Sequence, residues 1–172
     1  MNKFERRGIE MKKLSLLIVM LMLVVFVDAQ VKQKVYDPSV DAKVELNKNI
    51  IKAQQENKHI MLQIGFNRCP WCIKMHHFMN DDPTIDSLLK ADYIVQKVNY
   101  SKENYNQELI QNLGFPNRFG FPVIVILDQK GNRIHTQNTV YLEEGKGYNG
   151  KGITEFLQQW NRASVDPKTY IK

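Results

Sequence analysis

Cys69 and Cys72 stand three residues apart where an apolar run meets a helix-like pattern, and they are the only cysteines in 172 residues. A pair this close shuts a tiny loop, removes little entropy from the unfolded chain and cannot staple a fold. The two sulfurs therefore point to chemistry, and the flanking segments must position it. Upstream, Ile60 to Phe66 (IMLQIGF) reads as a short buried strand. Downstream, Pro70 to Met79 has helical apolar spacing through Ile73, Met75 and Phe78, and Asn80-Asp81-Asp82-Pro83 stops it. The first cysteine thus falls at a helix N-terminus, where free backbone N–H groups favour a thiolate. Pro70 suits a first helical turn, which has no use for its missing donor. Arg68 adds a positive charge beside Cys69. Cys72 lies one turn inside the helix, placed to attack a mixed disulfide on Cys69. The expected roles are Cys69 as nucleophile, Cys72 as resolving thiol, and Arg68 and Pro70 as groups that tune the first sulfur.

The remaining pattern alternates helix and strand. Residues 30–38 read as an extended lead-in. Val44, Leu46, Ile50, Ile51 and Ala53 share one face of a helix that runs to about Asn57, with Ser39 or Asp41 as its cap. A short helix is expected at Thr84 to Lys90, a strand at Tyr93 to Val98, and a helix at Tyr105 to Leu113 ended by Gly114 and Pro116. Val123 to Leu127 (VIVIL) is a buried strand, joined through Asp128-Gln129-Lys130-Gly131 to Arg133 to Gln137 as a hairpin. Residues 143–152 read as a Gly-rich loop before a last amphipathic helix, Ile153 to Trp160. A β, α, β half followed by a β, β, α half predicts an α/β fold with a mixed central β-sheet flanked by helices on both faces, and an extra helix at the N-terminus. No repeat or linker divides residues 30–172, which read as one domain.

The first 29 residues read as a leader. Lys12 and Lys13 precede an apolar run from Leu14 to Val27 broken only by Ser15, and Val27-Asp28-Ala29 offers a cleavage site after Ala29. Met11 opens this pattern more naturally than Met1. Fourteen residues fall short of the roughly 20 needed to span a bilayer, so a retained interfacial anchor is the alternative. The reading implies a periplasmic or secreted protein without stable membrane insertion after cleavage. Five of 24 basic and three of 18 acidic side chains lie in residues 1–29, which leaves a net charge of +4. The basic residues are scattered, with no Arg-rich or aromatic-interleaved stripe, and this disfavours nucleic acid as a partner.

The strand IMLQIGF, the motif CPWC at a helix start, and GFPVIVILDQKGN at residues 120–132 together resemble the thioredoxin-like superfamily over roughly Ser39 to Trp160. More narrowly, YDPSVDAKVELNKNIIKAQQENKHIMLQIGFNRCPWC and HTQNTVYLEEGKGYNGKGITEFLQQW resemble exported bacterial thioredoxin-family proteins, similar to the C-terminal thioredoxin-like domain of membrane thiol:disulfide interchange proteins. The resemblance implies a thioredoxin-like fold and thiol–disulfide exchange on protein disulfide or dithiol substrates. It implies no cofactor, a monomer, and electrons drawn from a membrane partner if the chain runs as a reductase. It also implies that Phe121-Pro122 is a cis bond facing the cysteines, with Trp71, Phe121 and Pro122 forming the edge on which an extended substrate segment docks. Thioredoxin carries a buried Asp six residues before its first cysteine, where this chain has Gln63, and a Trp directly before it, where this chain has Arg68. An amide at Gln63 cannot take a proton from the resolving thiol.

Three other readings stay open. Cys69, Cys72 and His76 lie at i, i+3 and i+7, near one helical face, and His77 adds a fourth candidate for a Zn or Cu site. No second CxxC or remote His pair completes a tetrahedral set, and a proline lid over the cysteines would fill the space a metal needs. His76 and His77 read more simply as solvated cover for the helix. A Cys69-His acyl-transfer pair lacks an acidic orienter and an oxyanion motif. A binding module of the same fold with incidental thiols would need neither cysteine. The direction of electron flow is open between reductase, oxidase and isomerase, with the resemblance favouring a reductase or general exchanger.

Overall fold

The computed structural model describes residues 34–171; the expected leader lies outside the described residues. Helix α1 spans Ala42–Glu56, and Asp41 caps it by accepting from the Lys43 and Val44 N–H groups at 2.9 and 3.0 Å. Ser39, the other candidate cap, bonds the Asp37 carboxylate instead. Strand β1 (His59–Gly65) is buried along its whole length. Helices α2 (Pro70–Asp81) and α3 (Pro83–Asp92) follow, separated at Asp82, which caps α3 through the Thr84 and Ile85 N–H groups. The chain then enters β2, Tyr93–Asn99.

Helix α4 is only Gln107–Asn112, shorter than the Tyr105 to Leu113 expectation. Ser101 and Asn104 pair with each other, and Asn106 turns into the left-handed region at φ 45°, so the helix cannot begin before Gln107. Strands β3 (Val123–Leu127) and β4 (Arg133–Asn138) form the expected hairpin. Its turn is held by Asp128, which accepts from the Lys130 and Asn132 N–H groups at 2.8 Å each. Within the expected Gly-rich loop the chain makes two two-residue strands, β5 (Glu143–Glu144) and β6 (Gly147–Tyr148). Helix α5 (Gly150–Gln159) starts ahead of Ile153 because Asn149 accepts from the Gly152 N–H at 2.9 Å and caps it earlier. Polar-face residues hide such a start from a periodicity reading, which sees only the first apolar position.

The sheet runs β2-β1-β3-β4, with β1–β2 parallel and the other two pairings antiparallel. A parallel neighbour requires a long crossover, which α2 and α3 supply. Successive side chains of a strand point to opposite faces, and the core divides accordingly. Ile60, Leu62, Ile64, Val123, Val125 and Leu127 pack with α1 and α4 on one face. Met61, Ile124 and Ile126 pack with Met75 and Met79 of α2, Ile85 and Leu89 of α3, and Phe156 and Leu157 of α5 on the other. The sheet is mixed and covered on both sides, and its architecture is thioredoxin-like.

Gly65 ends β1 at a point of close approach. A Cβ there would stand 2.7 Å from Cys72 Sγ and 2.9 Å from the Tyr36 ring and hydroxyl. Both neighbours are fully buried, so neither can swing aside into solvent. Gly65→Ala is expected to destabilise the fold by about 1–3 kcal/mol through overpacking. Chemical denaturation of the oxidised protein reads this directly, and an unchanged midpoint would mean the contact relaxes at no cost.

Candidate functional site

The site assembles where β1 ends, α2 begins and the loop before β3 returns. Cys69 is the N-cap of α2, in extended backbone conformation, and its Sγ accepts the Cys72 N–H at 3.1 Å. This is one of the helix-start donors that the sequence predicts would stabilise a thiolate. Pro70 occupies the first turn, where its missing N–H costs nothing. Cys69 and Cys72 are joined in a disulfide with Cα atoms 5.2 Å apart. The two sulfurs are unequal: Cys69 retains 6% exposure and Cys72 has 0%.

The Phe121–Pro122 peptide is cis, as the resemblance implies. The Phe121 carbonyl oxygen stands 3.7 Å from Cys69 Sγ. Pro122 is buried, and its carbonyl accepts from the Thr139 hydroxyl at 2.5 Å, which fixes the loop from behind. The Phe121 ring stacks on Tyr100 with centroids 5.1 Å apart and meets Phe66 edge-on at 5.5 Å. Trp71 lies half-buried against the cysteines. Its indole meets Tyr148 edge-on at 5.4 Å, Lys74 sits over the ring at 4.4 Å, and the Tyr148 hydroxyl donates to its carbonyl at 3.1 Å. The structure therefore brings Cys69, Cys72, Trp71 and Phe121 together, with Pro122 buried directly behind Phe121. Arg68 is exposed and lines a cavity on the Phe66 and Phe121 side.

Tyr36 was not singled out by the sequence, where it falls in an apparent extended lead-in. It is 1% exposed and packs directly on Cys69 and Cys72. Asn67 clamps its backbone, accepting from the Tyr36 N–H at 3.1 Å and donating to the Tyr36 carbonyl at 2.6 Å. Burial pushes the Tyr36 hydroxyl well above its ordinary pKa, so it stays neutral beside the sulfurs. Its signal is faint: one aromatic in a polar stretch, with its clamp 31 residues away.

Beneath the cysteines on β1, Gln63 is buried and donates to the Met79 sulfur at 2.8 Å. Its carbonyl oxygen accepts from Lys97 Nζ, directly across the parallel register on β2. Burial holds the Lys97 ammonium down at about 8. His76, one turn beyond Cys72, is partly buried, in contrast to the fully solvated expectation, whereas His77 is exposed. Burial first, and then the positive charge of Lys97, lowers the pKa of His76. The Asn80 amide lies 3.0 Å from His76 Nδ1, a contact suited to a neutral ring accepting a hydrogen bond.

A family model described as Thioredox_DsbH, protein of unknown function, DUF255, matches residues 28–171. The chain belongs to the Thioredox_DsbH family. The fold of this family member is also similar to that of a disulphide isomerase from Xylella fastidiosa Temecula1, with a TM-score of 0.66 and 23% identity over 74% of this chain and 97% of that one. A thioredoxin from Thermus thermophilus is similar at a TM-score of 0.50 and 24% identity, over 69% of this chain and 85% of that one. These likenesses concern the fold. No curated protein matches the chain.

Lys97 provides a pH test of the buried polar pair. Its pKa is about 8 in the folded protein and about 10.4 in an unfolded chain. Between those values the unfolded state binds more protons, so the contribution of Lys97 to stability rises with pH and is complete only above the unfolded value. Unfolding free energies of wild type and Lys97→Met, measured from pH 7 to 10.5, are expected to diverge in favour of wild type as pH rises. Parallel curves would show that the amine is solvated.

Proposed function

We propose that this chain is an exported thiol–disulfide oxidoreductase that exchanges electrons with protein substrates through Cys69 and Cys72. The observation that carries the reading is the inequality of the two sulfurs, one at a capped helix start with residual exposure and the other sealed beneath it. In the reduced protein the Cys69 thiolate attacks one sulfur of a substrate disulfide, and the other substrate sulfur leaves as a thiolate. The Cys72 thiolate then attacks Cys69 Sγ, and the second substrate sulfur leaves. Two electrons have passed to the substrate, and the Cys69–Cys72 disulfide has formed.

Each neighbour has a part in these steps. The Cys72 N–H and the start of α2 favour negative charge on Cys69, with Pro70 leaving the first turn unstrained and Arg68 adding a cation nearby. The Phe121 carbonyl beside Cys69 and the cis bond at Pro122 offer an extended substrate segment a backbone edge, with Trp71 on the other flank. Gln63 supplies no carboxylate to take the Cys72 proton. The export pattern at Lys12 to Ala29 supports a periplasmic or secreted site of action, with electrons drawn from a membrane partner. The name of the Xylella neighbour, a disulphide isomerase, accords with exchange chemistry.

Cys69→Ser is expected to abolish reduction of a model protein disulfide, whereas Cys72→Ser retains attack and accumulates mixed disulfides visible by mass spectrometry. Wild-type turnover in Cys69→Ser would end the oxidoreductase reading. The direction of exchange is set by the potential of the couple against a dithiothreitol series. A reductase is expected to lie near the roughly −270 mV of thioredoxin, and a value near about −120 mV would mark an oxidant instead.

A further inference from the structure

A cavity of about 500 Å³ is lined by Arg68, the neighbour of Cys69 in the chain, and by Phe121, whose carbonyl faces Cys69 Sγ; its volume lies within the range of roughly 300–1,000 Å³ typical of binding clefts. Its apolar lining comes from Phe66, Tyr100, Tyr105 and Phe121. These rings form a continuous chain of contacts: Phe66 on Phe121, Phe121 on Tyr100, and Tyr100 on Tyr105 at 5.1 Å. Its rim carries three cations, Lys34, Arg68 and Lys102, against a single carboxylate, Glu103. That carboxylate is held below its usual range chiefly by the Ser101 hydroxyl, with smaller contributions from Arg68 and Lys34. The lining remains net positive with Glu103 charged.

The walls are built in advance. Asn104 donates to the Pro38 and Val40 carbonyls at 3.0 and 3.2 Å, and Asn99 donates to the Asn104 carbonyl at 2.8 Å. Asn106 accepts from the Ala42 N–H and donates to the Asn99 carbonyl, both at 2.9 Å. The loop after β2 is thereby pinned to the segment before α1, and Asn117 holds the Tyr100 hydroxyl at 3.2 Å. A groove whose walls are already pinned by hydrogen bonds loses little entropy when filled.

We propose that this groove is a specificity site for protein substrates whose reactive cysteine is flanked by an acidic segment bearing an aromatic or large aliphatic side chain. The proposal rests on the exchange chemistry assigned to Cys69 above. The apolar side chain fills the space between Phe66, Tyr100 and Phe121, and the flanking carboxylates meet Lys34, Arg68 and Lys102. Because Phe121 contributes both a ring to the groove and the carbonyl beside Cys69 Sγ, a segment seated here presents its own sulfur to the reactive one. A second copy of this chain is a poor occupant, since its net charge is positive.

The test uses three peptides with one cysteine, differing only in flanks: acidic with Phe, acidic with Ala, and basic with Phe. Each is reacted as a mixed disulfide with the reduced protein, and dithiothreitol exchange is followed in parallel. The acidic Phe peptide is expected to react about tenfold faster than the basic one at low salt, with the advantage shrinking as salt screens the charges. It should also outpace the acidic Ala peptide. In Lys102→Glu/Tyr105→Ala, two exposed positions, both preferences should be lost while dithiothreitol exchange stays at the wild-type rate. Equal rates for all three peptides, or preferences surviving in the double variant, would overturn the groove. Cysteine-free versions of the peptides, titrated against the oxidised protein, read docking without exchange. Selective docking of the acidic Phe version in a protein that exchanges with nothing, dithiothreitol included, would sink the oxidoreductase reading and keep the groove. A small anionic disulfide such as oxidised glutathione matching the acidic Phe peptide in rate and in sensitivity to the double variant would refute a protein segment as the occupant.

Discussion

With only a hydrogen at Gly65, the end of β1 lies flush beneath the Cys72 sulfur and against the Tyr36 ring, and the geometry around the disulfide follows from that contact. A strand buried on both faces holds its backbone in place through pairing with β2 and β3, so its last residue has little freedom to shift. The start of α2 is therefore located against a fixed floor. Cys72 is sealed by that floor and by Tyr36, while Cys69, a turn earlier and at the cap, keeps a small exposure. The inequality of two chemically identical side chains is a consequence of packing, and packing is set by the smallest residue in the strand.

The same floor explains how this chain carries a polar pair under the cysteines. Strand β1 presents Met61, Gln63 and Gly65 toward α2, and the parallel register sets Lys97 opposite Gln63. The amide satisfies both needs of its site: its oxygen accepts a hydrogen bond from the lysine, and its nitrogen donates to the Met79 sulfur. A neutral acceptor stabilises an ammonium less than a carboxylate does, and burial then depresses the Lys97 pKa into a range where the amine can release its proton. A carboxylate at position 63 would reverse this balance by holding the lysine charged. The electrostatics beneath the disulfide thus carry one titrating cation that also repels a proton on His76.

The sequence discloses most where a single physical signal is strong. VIVIL is continuous, β-branched and flanked by a turn, and its bounds are those of β3. CPWC combines a helix-start proline with two sulfurs, so both its location and its asymmetry are legible. Boundaries set by local backbone turns and caps are less visible: the left-handed turn at Asn106 delays α4, and the Asn149 side chain, accepting from the Gly152 N–H, advances α5. Tyr36 and Tyr100 were missed for a different reason. Their partners are distant in sequence, Asn67 for one and Asn117 and Phe121 for the other, and a lone tyrosine in a polar stretch gives no hint that the tertiary fold will bury or stack it.

Those long-range contacts divide the labour around the cysteines. The face toward β1 is closely packed: Gly65 and Tyr36 leave no space around the Cys72 sulfur on that side. The flank toward Tyr148 is also closed, since Trp71 is held by a ring, a hydroxyl and an ammonium at once. The flank bounded by Phe66, Tyr100 and Phe121 combines apolar surface with open volume. A macromolecular partner gains most by burying apolar area next to the reacting atom, because desolvation there strengthens the hydrogen bonds and charge contacts that orient it. The asparagines that pin this flank, Asn99, Asn104, Asn106 and Asn117, lie at the end of β2 and in the segments that follow it, far from the CPWC motif in sequence. In the proposed function the chemistry is therefore encoded in four consecutive residues, and the proposed choice of partner is distributed over the segments that frame them.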